Sequence, residues 1–198
     1  MDIVVSHEGT DFDAFASMFA VTRLFPGTQV ILGGSVNRNV RHFLSLYGKF
    51  FPYLREKDLD WGQIKKVYVV DTPYLERLGK VGEFWQKEGV EFFLFDHHPE
   101  EKLKGKPNVV LREYGACTTI LVEMCEEASL PLSPLEATLL LIGIYEDTGF
   151  FTFPTTTSHD LRAASFLLAQ GAMVSYIPRF TRVPLTSEQR EALQKMIQ

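Results

Sequence analysis

The chain lacks most of what would assign it to a membrane, an oxidising compartment or a repeat array. Only two cysteines occur in 198 residues. Cys117 and Cys125 share one expected helix and form no CxxC pair, so they read as reduced core thiols rather than a disulfide framework or a thiolate metal site. The longest apolar run, around TLLLIGIY, is far too short to span a bilayer, which excludes a membrane helix and a membrane partner. The opening residues MDIVVSHEG carry no basic segment or cleavage pattern, so no signal peptide is expected and a cytoplasmic location fits best. There is no internal repeat and no low-complexity tract. An excess of positive charge is also missing. The formal net charge is -5 and the pI about 5.6, which excludes a general polyanion-binding surface while leaving room for a local basic patch.

What is present is an alternation of strand-like and helical segments. With 45% hydrophobic residues, the chain can build a sizeable core, as one large domain or as one domain plus a tail. Apolar β-branched runs predict strands over 2–6, 28–32, 66–70, 90–95 and 108–112. Helical spacing predicts helices over 12–24, 37–47 and 75–88, with 48–63 irregular. This alternation implies right-handed parallel βαβ units. The expected fold is therefore α/β: a doubly wound, mainly parallel five-stranded sheet flanked by helices, followed by a helical C-terminal part. That part should hold helices over 116–128 and 133–145, the second opened by Ser133 and Pro134. A further helix starts at Thr157 or Ser158 and stops at Gly171, and a last one, capped by Thr186, runs over 186–197.

Polar residues with ligand chemistry stand where the apolar runs end. HEGTDFD follows the first strand and places His7, Asp11 and Asp13 on a loop and the next helix start. Asp71 closes KKVYVVD. FDHHPE follows the fourth strand and holds Asp96, His97 and His98. Asp147 closes the apolar segment LLLIGIYEDTG, where a carboxylate is costly unless paired or metal-bound. Each has a plainer reading alone, as a helix cap, a turn residue or a loop histidine. Their co-occurrence is more specific, because ligands of an open parallel sheet bind outside the carboxyl ends of its strands. The four-residue step from His7 to Asp11 lets one cation take both. The step to Asp13 offers a third ligand to a second cation, Asp71 can bridge two, and Asp96 can accept the other N–H of an imidazole. Glu146 is expected to point away. Mixed carboxylate and imidazole donors suit Mn²⁺, with Mg²⁺ as an alternative. Two such ions roughly 3.5–4 Å apart clamp the oxygens of an in-line displacement at phosphorus.

HxxxDxD in HEGTDFD, the aspartate of VYVVDT, the DHH of LFDHHPE and the aspartate of GIYEDTG resemble the four ordered motifs of the DHH phosphoesterase superfamily. That family includes RecJ-type exonucleases, nanoRNases, cyclic-dinucleotide phosphodiesterases, exopolyphosphatases and manganese pyrophosphatases. The resemblance covers about residues 1–180 as a DHH catalytic domain. It implies two Mn²⁺, with His7 and Asp11 on one, Asp13 and His97 on the other, and Asp71 and Asp147 bridging or sharing them. It also implies catalytic roles for Asp71, Asp147 and His98, the last contacting the scissile phosphate. GACTTILVEM resembles the family's helix start after the third motif, which makes Gly115 and Thr118 candidates for the phosphate pocket. SHEGTDFDAFASM, GSVNRNVRHFL and FPYLREKDLD resemble the N-terminal DHH module fused, in some bacterial proteins, to CBS domains and a tRNA nucleotidyltransferase or poly(A) polymerase. Residues 181–198 would then be a linker helix toward an absent second lobe, whose glycine-rich motif Gly33-Gly34 is too early to be.

The expected activity is Mn²⁺-dependent hydrolysis of phosphodiester bonds in short oligonucleotides or dinucleotides. An inorganic pyrophosphatase or exopolyphosphatase is the alternative, and a non-catalytic nucleotide-binding module of a nucleotidyltransferase fusion is the third reading. The expected partners are a nucleotide or short oligonucleotide, further covalently attached domains and a second copy in a homodimer. Arg38 and Arg41 follow the glycine turn after the second strand. A solvated helix face is the plain reading of both, and Arg38 is the candidate for substrate contact. His42 and His159 read as packing and capping residues. Most of the sixteen phenylalanines read as core, with Phe12, Phe95, Phe150, Phe151 and Phe153 near enough to the motifs for one or two to stack a base.

Overall fold

The structure is a computed structural model that describes residues 1–84, 89–181 and 187–197. Its frame is a sheet of β1 (Asp2–Val5), β2 (Gln29–Leu32), β3 (Leu54–Arg55), β4 (Lys66–Val70), β5 (Glu91–Asp96) and β6 (Val109–Leu111). The strands lie in the order β3-β2-β1-β4-β5-β6, and every pairing is parallel. The five expected strands are present. The sixth, β3, arises in the stretch read as irregular. It is two residues at the sheet edge, pairing Leu54 with Ile31 and Arg55 with Leu32, too short to show a period of two.

Seven α-helices occur among the described residues: α1 (Phe12–Leu24), α2 (Arg38–Tyr47), α3 (Cys117–Glu127), α4 (Pro134–Asp147), α5 (Ser158–Ala169), α6 (Ile177–Thr181) and α7 (Ser187–Ile197). Ser133 and Glu136 form a reciprocal capping box at α4 with Pro134 in its first turn. The expected cap of α7, Thr186, lies outside the described residues. The helix expected over 75–88 is instead a 3-10 helix over Leu75–Phe84, interrupted where Gly79 takes φ 56° and ψ -136°. Residues 85–88 lie outside the described residues. None of the described helices is long and apolar enough to cross a membrane.

Strand alternation divides the interior. Val4, Tyr68, Val70 and Phe95 face one core with α1, α3, α4 and α5. Ile3, Val5, Val67, Val69 and Leu94 face a smaller one closed by Leu59, Ile64, Leu78 and Val81. The covering is thus unequal, with α-helices on one face and short 3-10 pieces on the other. Helix α1 is buried from Phe12 through Val21 because it packs on α3, α4 and β4 together, so its sequence is apolar nearly all round. Cys117 and Cys125 are both buried and free.

Close approach of the three helices depends on Gly143. A Cβ there would stand 2.8 Å from Ala16 Cβ and 2.8 Å from Thr118 Oγ1. Gly143→Ala should therefore lower stability. Crowding a packed core costs about 1–3 kcal/mol, more than the about 1 kcal/mol gained from alanine's helix propensity. The measure is the urea midpoint, and an unchanged or higher midpoint would show that α1 and α4 are not packed this closely.

Candidate metal centre

Strand order reverses between β1 and β4, and the crevice at that reversal is where an open parallel sheet presents ligand-binding groups. Val5 pairs with Val69, so extending the two strands by two residues brings His7 beside Asp71. Their side chains meet, with His7 Nε2 3.3 Å from Asp71 Oδ2. The loop after β1 turns through Gly9 at φ 79°. It is stitched to the turn after β2 by Gly9 N–H donating to Ser35 O at 3.1 Å and Asn37 N–H donating to Thr10 O at 2.9 Å. Asp11 caps α1, its Oδ1 accepting from Ala14 N–H at 3.0 Å, and its Oδ2 stands 3.8 Å from His7 Nε2. Asp13, in the first turn of α1, accepts from Cys117 N–H at 2.7 Å and Thr118 N–H at 2.8 Å. Ala116, the cap position of α3, makes no side-chain bond. Asp13 supplies that cap from another helix, and the positive end of α3 steadies its carboxylate.

His97 completes the cluster. Its Nε2 lies 3.4 Å from Asp71 Oδ1, 3.3 Å from Asp147 Oδ2 and 4.0 Å from Asp13 Oδ2. Among the described residues three overlapping sets of donor atoms each lie within 4.8 Å of one another: His7 with Asp11 and Asp71, Asp13 with His97 and Asp147, and Asp71 with Asp96, His97 and His98; the first two share no residue. Asp71 joins them, one oxygen toward each histidine. It holds this position at φ 58°, a left-handed conformation that aspartate tolerates better than bulkier residues. The tautomers suit a cation. His7 Nδ1 donates to Glu8 O at 2.9 Å and His97 Nδ1 to Tyr114 O at 3.1 Å. Carbonyls only accept, so each Nε2 remains to bind a cation or, without one, a proton. Oxygen and imidazole donors with no thiolate fit a divalent ion of the manganese or magnesium type.

Asp96 does accept an imidazole N–H, that of His98. Its Oδ1 accepts from His98 Nδ1 at 2.9 Å and from the backbone N–H groups of His97 and His98. It therefore orients His98, whose ring is partly open to solvent.

The metal-free charges show what the cluster requires. Burial raises the pKa of Asp13 well above the usual carboxylate range, and the charges of Asp71 and Asp147 add to this. Burial also lifts Asp11, with Asp71 adding, and takes Asp147 up to about 6 against the pull of His97. Burial acts the same way on Asp71, but hydrogen bonds from His7 and His97 overcome it and hold this carboxyl below its ordinary value. Burial disfavours a charged His97, yet the Asp71 hydrogen bond and the charges of Asp13, Asp71 and Asp147 bring it to about 10. The carboxylates thus demand positive charge between them, and a proton on His97 supplies it when no cation does.

A cavity of about 560 Å³ adjoins this centre, lined by His97, His98, Tyr114, Gly115, Asp147 and Thr157 among others. Gly115 is in its wall, but its N–H is already committed to Asp160 at 3.0 and 3.1 Å. Thr118 does not reach the cavity. It is fully buried and its hydroxyl donates to Asp13 O at 3.1 Å, so it holds Asp13 in place. Arg38 is exposed on the first turn of α2 and is not part of this wall. Of the phenylalanines considered for base stacking, Phe12 and Phe95 are buried, while Phe150 and Phe153 are exposed. Glu146 turns to α1, accepting from Phe12 N–H at 3.0 Å.

Sequence reasoning missed Asp160 and Tyr114. Asp160 is fully buried and also accepts from Thr119 Oγ1 at 2.6 Å and from Thr157 N–H and Oγ1 at 2.7 Å. The Thr157-x-x-Asp160 capping pattern was its available signal. Tyr114 serves His97 through its carbonyl, which leaves no mark in the sequence. Its ring stacks on His159 with centroids 4.3 Å apart, and both side chains bond Glu123.

Known proteins resemble this chain along its length. It is 36% identical over 199 residues to the A-adding tRNA nucleotidyltransferase of Geobacter sulfurreducens, a match that takes in 100% of this chain and 23% of that protein. It is 27% identical over 183 residues to the bifunctional oligoribonuclease and PAP phosphatase of Mycoplasma pneumoniae, covering 88% of this chain and 54% of the relative. The chain thus spans less than a quarter of the first relative and about half of the second. In fold it is similar to an exopolyphosphatase-related protein from Bacteroides fragilis, with a TM-score of 0.77 at 16% identity over 98% of this chain and 60% of that one. The N-terminal domain of the DHH family matches residues 3–144, and with the DHH motif at Asp96–His98 heading a cluster of paired carboxylates and imidazoles, the chain belongs to the DHH phosphoesterase superfamily.

Proposed function

We propose that this chain is a two-metal phosphodiesterase acting on dinucleotides or short oligonucleotides, with Mn²⁺ as the preferred ion and Mg²⁺ as a substitute. The observation that carries this reading is Asp71, one oxygen facing His7 and the other His97, between two donor sets. His7, Asp11 and Asp71 would hold one ion, and Asp13, His97 and Asp147 another, with Asp71 placed between the two. When bound, such an ion pair lowers the pKa of water and offsets charge developing on phosphorus. The protein's own residues do the rest. Glu8 O and Tyr114 O keep both metal-facing Nε2 atoms aimed inward. Asp96 accepts from His98 Nδ1–H, and with His98 as the imidazolium its Nε2–H would donate a hydrogen bond to a phosphate oxygen and then its proton to the leaving alkoxide. The cavity beside His98 takes the nucleoside on one side of the scissile bond.

The Mycoplasma relative's name points to oligoribonucleotides, and the fold likeness alone gives no substrate. Residues 1–180 form the catalytic unit in this reading, and 181–198 lead toward further domains, in keeping with the short span of the longer relatives that the chain covers. Two free buried thiols suit a reducing cytoplasm.

Asp71→Ala and Asp147→Asn should each lower Mn²⁺-dependent release of AMP from pApA by at least about 100-fold, with the circular dichroism spectrum retained. Pyrophosphate is the parallel substrate. Wild-type turnover of pyrophosphate in preference to pApA would favour the pyrophosphatase reading, and retained pApA cleavage in either variant would reject the ligand assignment.

The titrations predict a pH dependence. In chelator, His97 stands at about 10 against an ordinary 6.5. Its contribution is complete below pH 6.5 and is lost as pH rises through about 10. Asp147, at about 6 against 3.8, has the same sign, its contribution fading as pH rises through about 6. The metal-free Tm should therefore fall between pH 6 and pH 10. Mn²⁺ takes the place of the proton on His97, so the Tm increase on adding it should be larger at pH 8 than at pH 5.5. Equal increments would show that these groups are not ligands.

A further inference from the structure

A second cavity of about 560 Å³ lies on the β2–β3 flank, across the metal loop from His98. Its wall includes Gly33, Ser35, Arg41, Ser45, Tyr53 and Arg55. Arg41 comes from α2 and Arg55 from β3, so guanidinium groups of two different elements open on one space. Among the described residues neither forms an ion pair within 4 Å, and both are exposed. No Asp or Glu lines this cavity. The carboxylates near the same turn are Glu8, whose Oε1 is 3.6 Å from a Cβ placed on Gly34, and Glu56, whose Oε1 accepts from Lys80 N–H at 3.0 Å. In a chain of net charge -5, two unpaired arginines on one concave wall mark a site for an anion.

Two features narrow the class. The volume is in the range of sites that enclose small organic ligands, far more than bare phosphate fills, and Tyr53 is half-buried in the wall with a ring to set against a base. The wall is also joined to the metal loop, because Ser35 O accepts from Gly9 N–H and Val36 forms a β-bridge with Thr10. We propose that Arg41 and Arg55 bind a second phosphate of the substrate, carried on a nucleotide next to the one cleaved. This site would favour a nucleotide chain over pyrophosphate. The assignment rests on the phosphodiesterase reading for the identity of the ligand, though not for the existence of the site.

The test is calorimetric titration of the whole chain with pApA in EDTA, where neither cations nor turnover contribute. Arg41→Gln and Arg55→Gln should each weaken binding by about tenfold or more, the loss expected for a charge-assisted hydrogen bond. The double variant should flatten the salt dependence by about 0.7 in slope for each phosphate no longer neutralised. Gly33→Leu supplies a variant that keeps both arginines. A Cβ at Gly33 meets nothing within 4 Å, so the added side chain projects into open space and should displace pApA to a similar degree. Circular dichroism confirms that each variant is folded. Wild-type affinity in the arginine variants, no binding of pApA by the metal-free parent, or inorganic phosphate competing as strongly as pApA would each overturn the proposal. Arginine-dependent pApA binding without Mn²⁺-dependent cleavage would leave this site standing and remove the phosphodiesterase reading instead.

Discussion

Mutual repulsion among four carboxylates is the constraint on which the rest of the structure depends. Asp11, Asp13, Asp71 and Asp147 converge at the end of an apolar sheet, Asp13 and Asp71 buried where like charges are weakly screened and Asp11 and Asp147 partly open to solvent. Such a cluster persists only if each carboxylate is held separately and positive charge is placed between them. The holding is done by three unrelated parts of the chain. The start of α3 takes Asp13, Asp11 caps its own helix, and the left-handed turn after β4 sets Asp71 between two imidazoles. The positive charge comes from His7 and His97, or from cations in their place.

Site and core are consequently built from the same elements. Helix α1 carries Asp11 and Asp13 at its first turn while its body fills the interior. Helix α4 is apolar from Leu139 through Ile144 and then presents Asp147 at its end. Thr118 sits between them, bonding Asp13 O where Gly143 allows close approach. A packing change there is transmitted to Asp13 without passing through any loop, because interiors are too dense to absorb it. The same economy extends outward. Asp160 ties Gly115, Thr119 and Thr157 together at the rim of the cleft, and Tyr114 passes the position of that rim to His97.

The centre also lies at the middle of the sheet's carboxyl edge, with cavities of similar size on its two flanks. A compact inorganic anion needs neither flank. A substrate that extends to both sides of its reacting phosphorus would use both, which is why the proposed function names a nucleotide chain. The flanks differ in character. His98 and Tyr114 border one, and arginines border the other, so the two ends of a bound chain would meet different chemistry.

Much of this could be read from the chain alone. The strands under His7 and Asp71 are β-branched runs and the one under His97 is an aromatic-rich apolar run, and such runs announce themselves. Ser133 and Pro134 announced the start of α4, and the end of the first apolar run announced the loop and helix start that carry His7, Asp11 and Asp13. The two-residue strand β3 and the break at Gly79 left no periodic trace, since neither spans a full repeat. Side-chain direction was equally hidden. Thr118 belonged to a recognisable motif yet faces inward, and Asp96 supports the neighbouring histidine. Tyr114 acts through a backbone carbonyl that every residue possesses. Local sequence determined which residues stand at strand ends, because hydrophobic period and capping chemistry act over a few positions. Only the tertiary structure decided which of them meet, because strand order, helix crossing and burial are properties of contacts between segments distant along the chain.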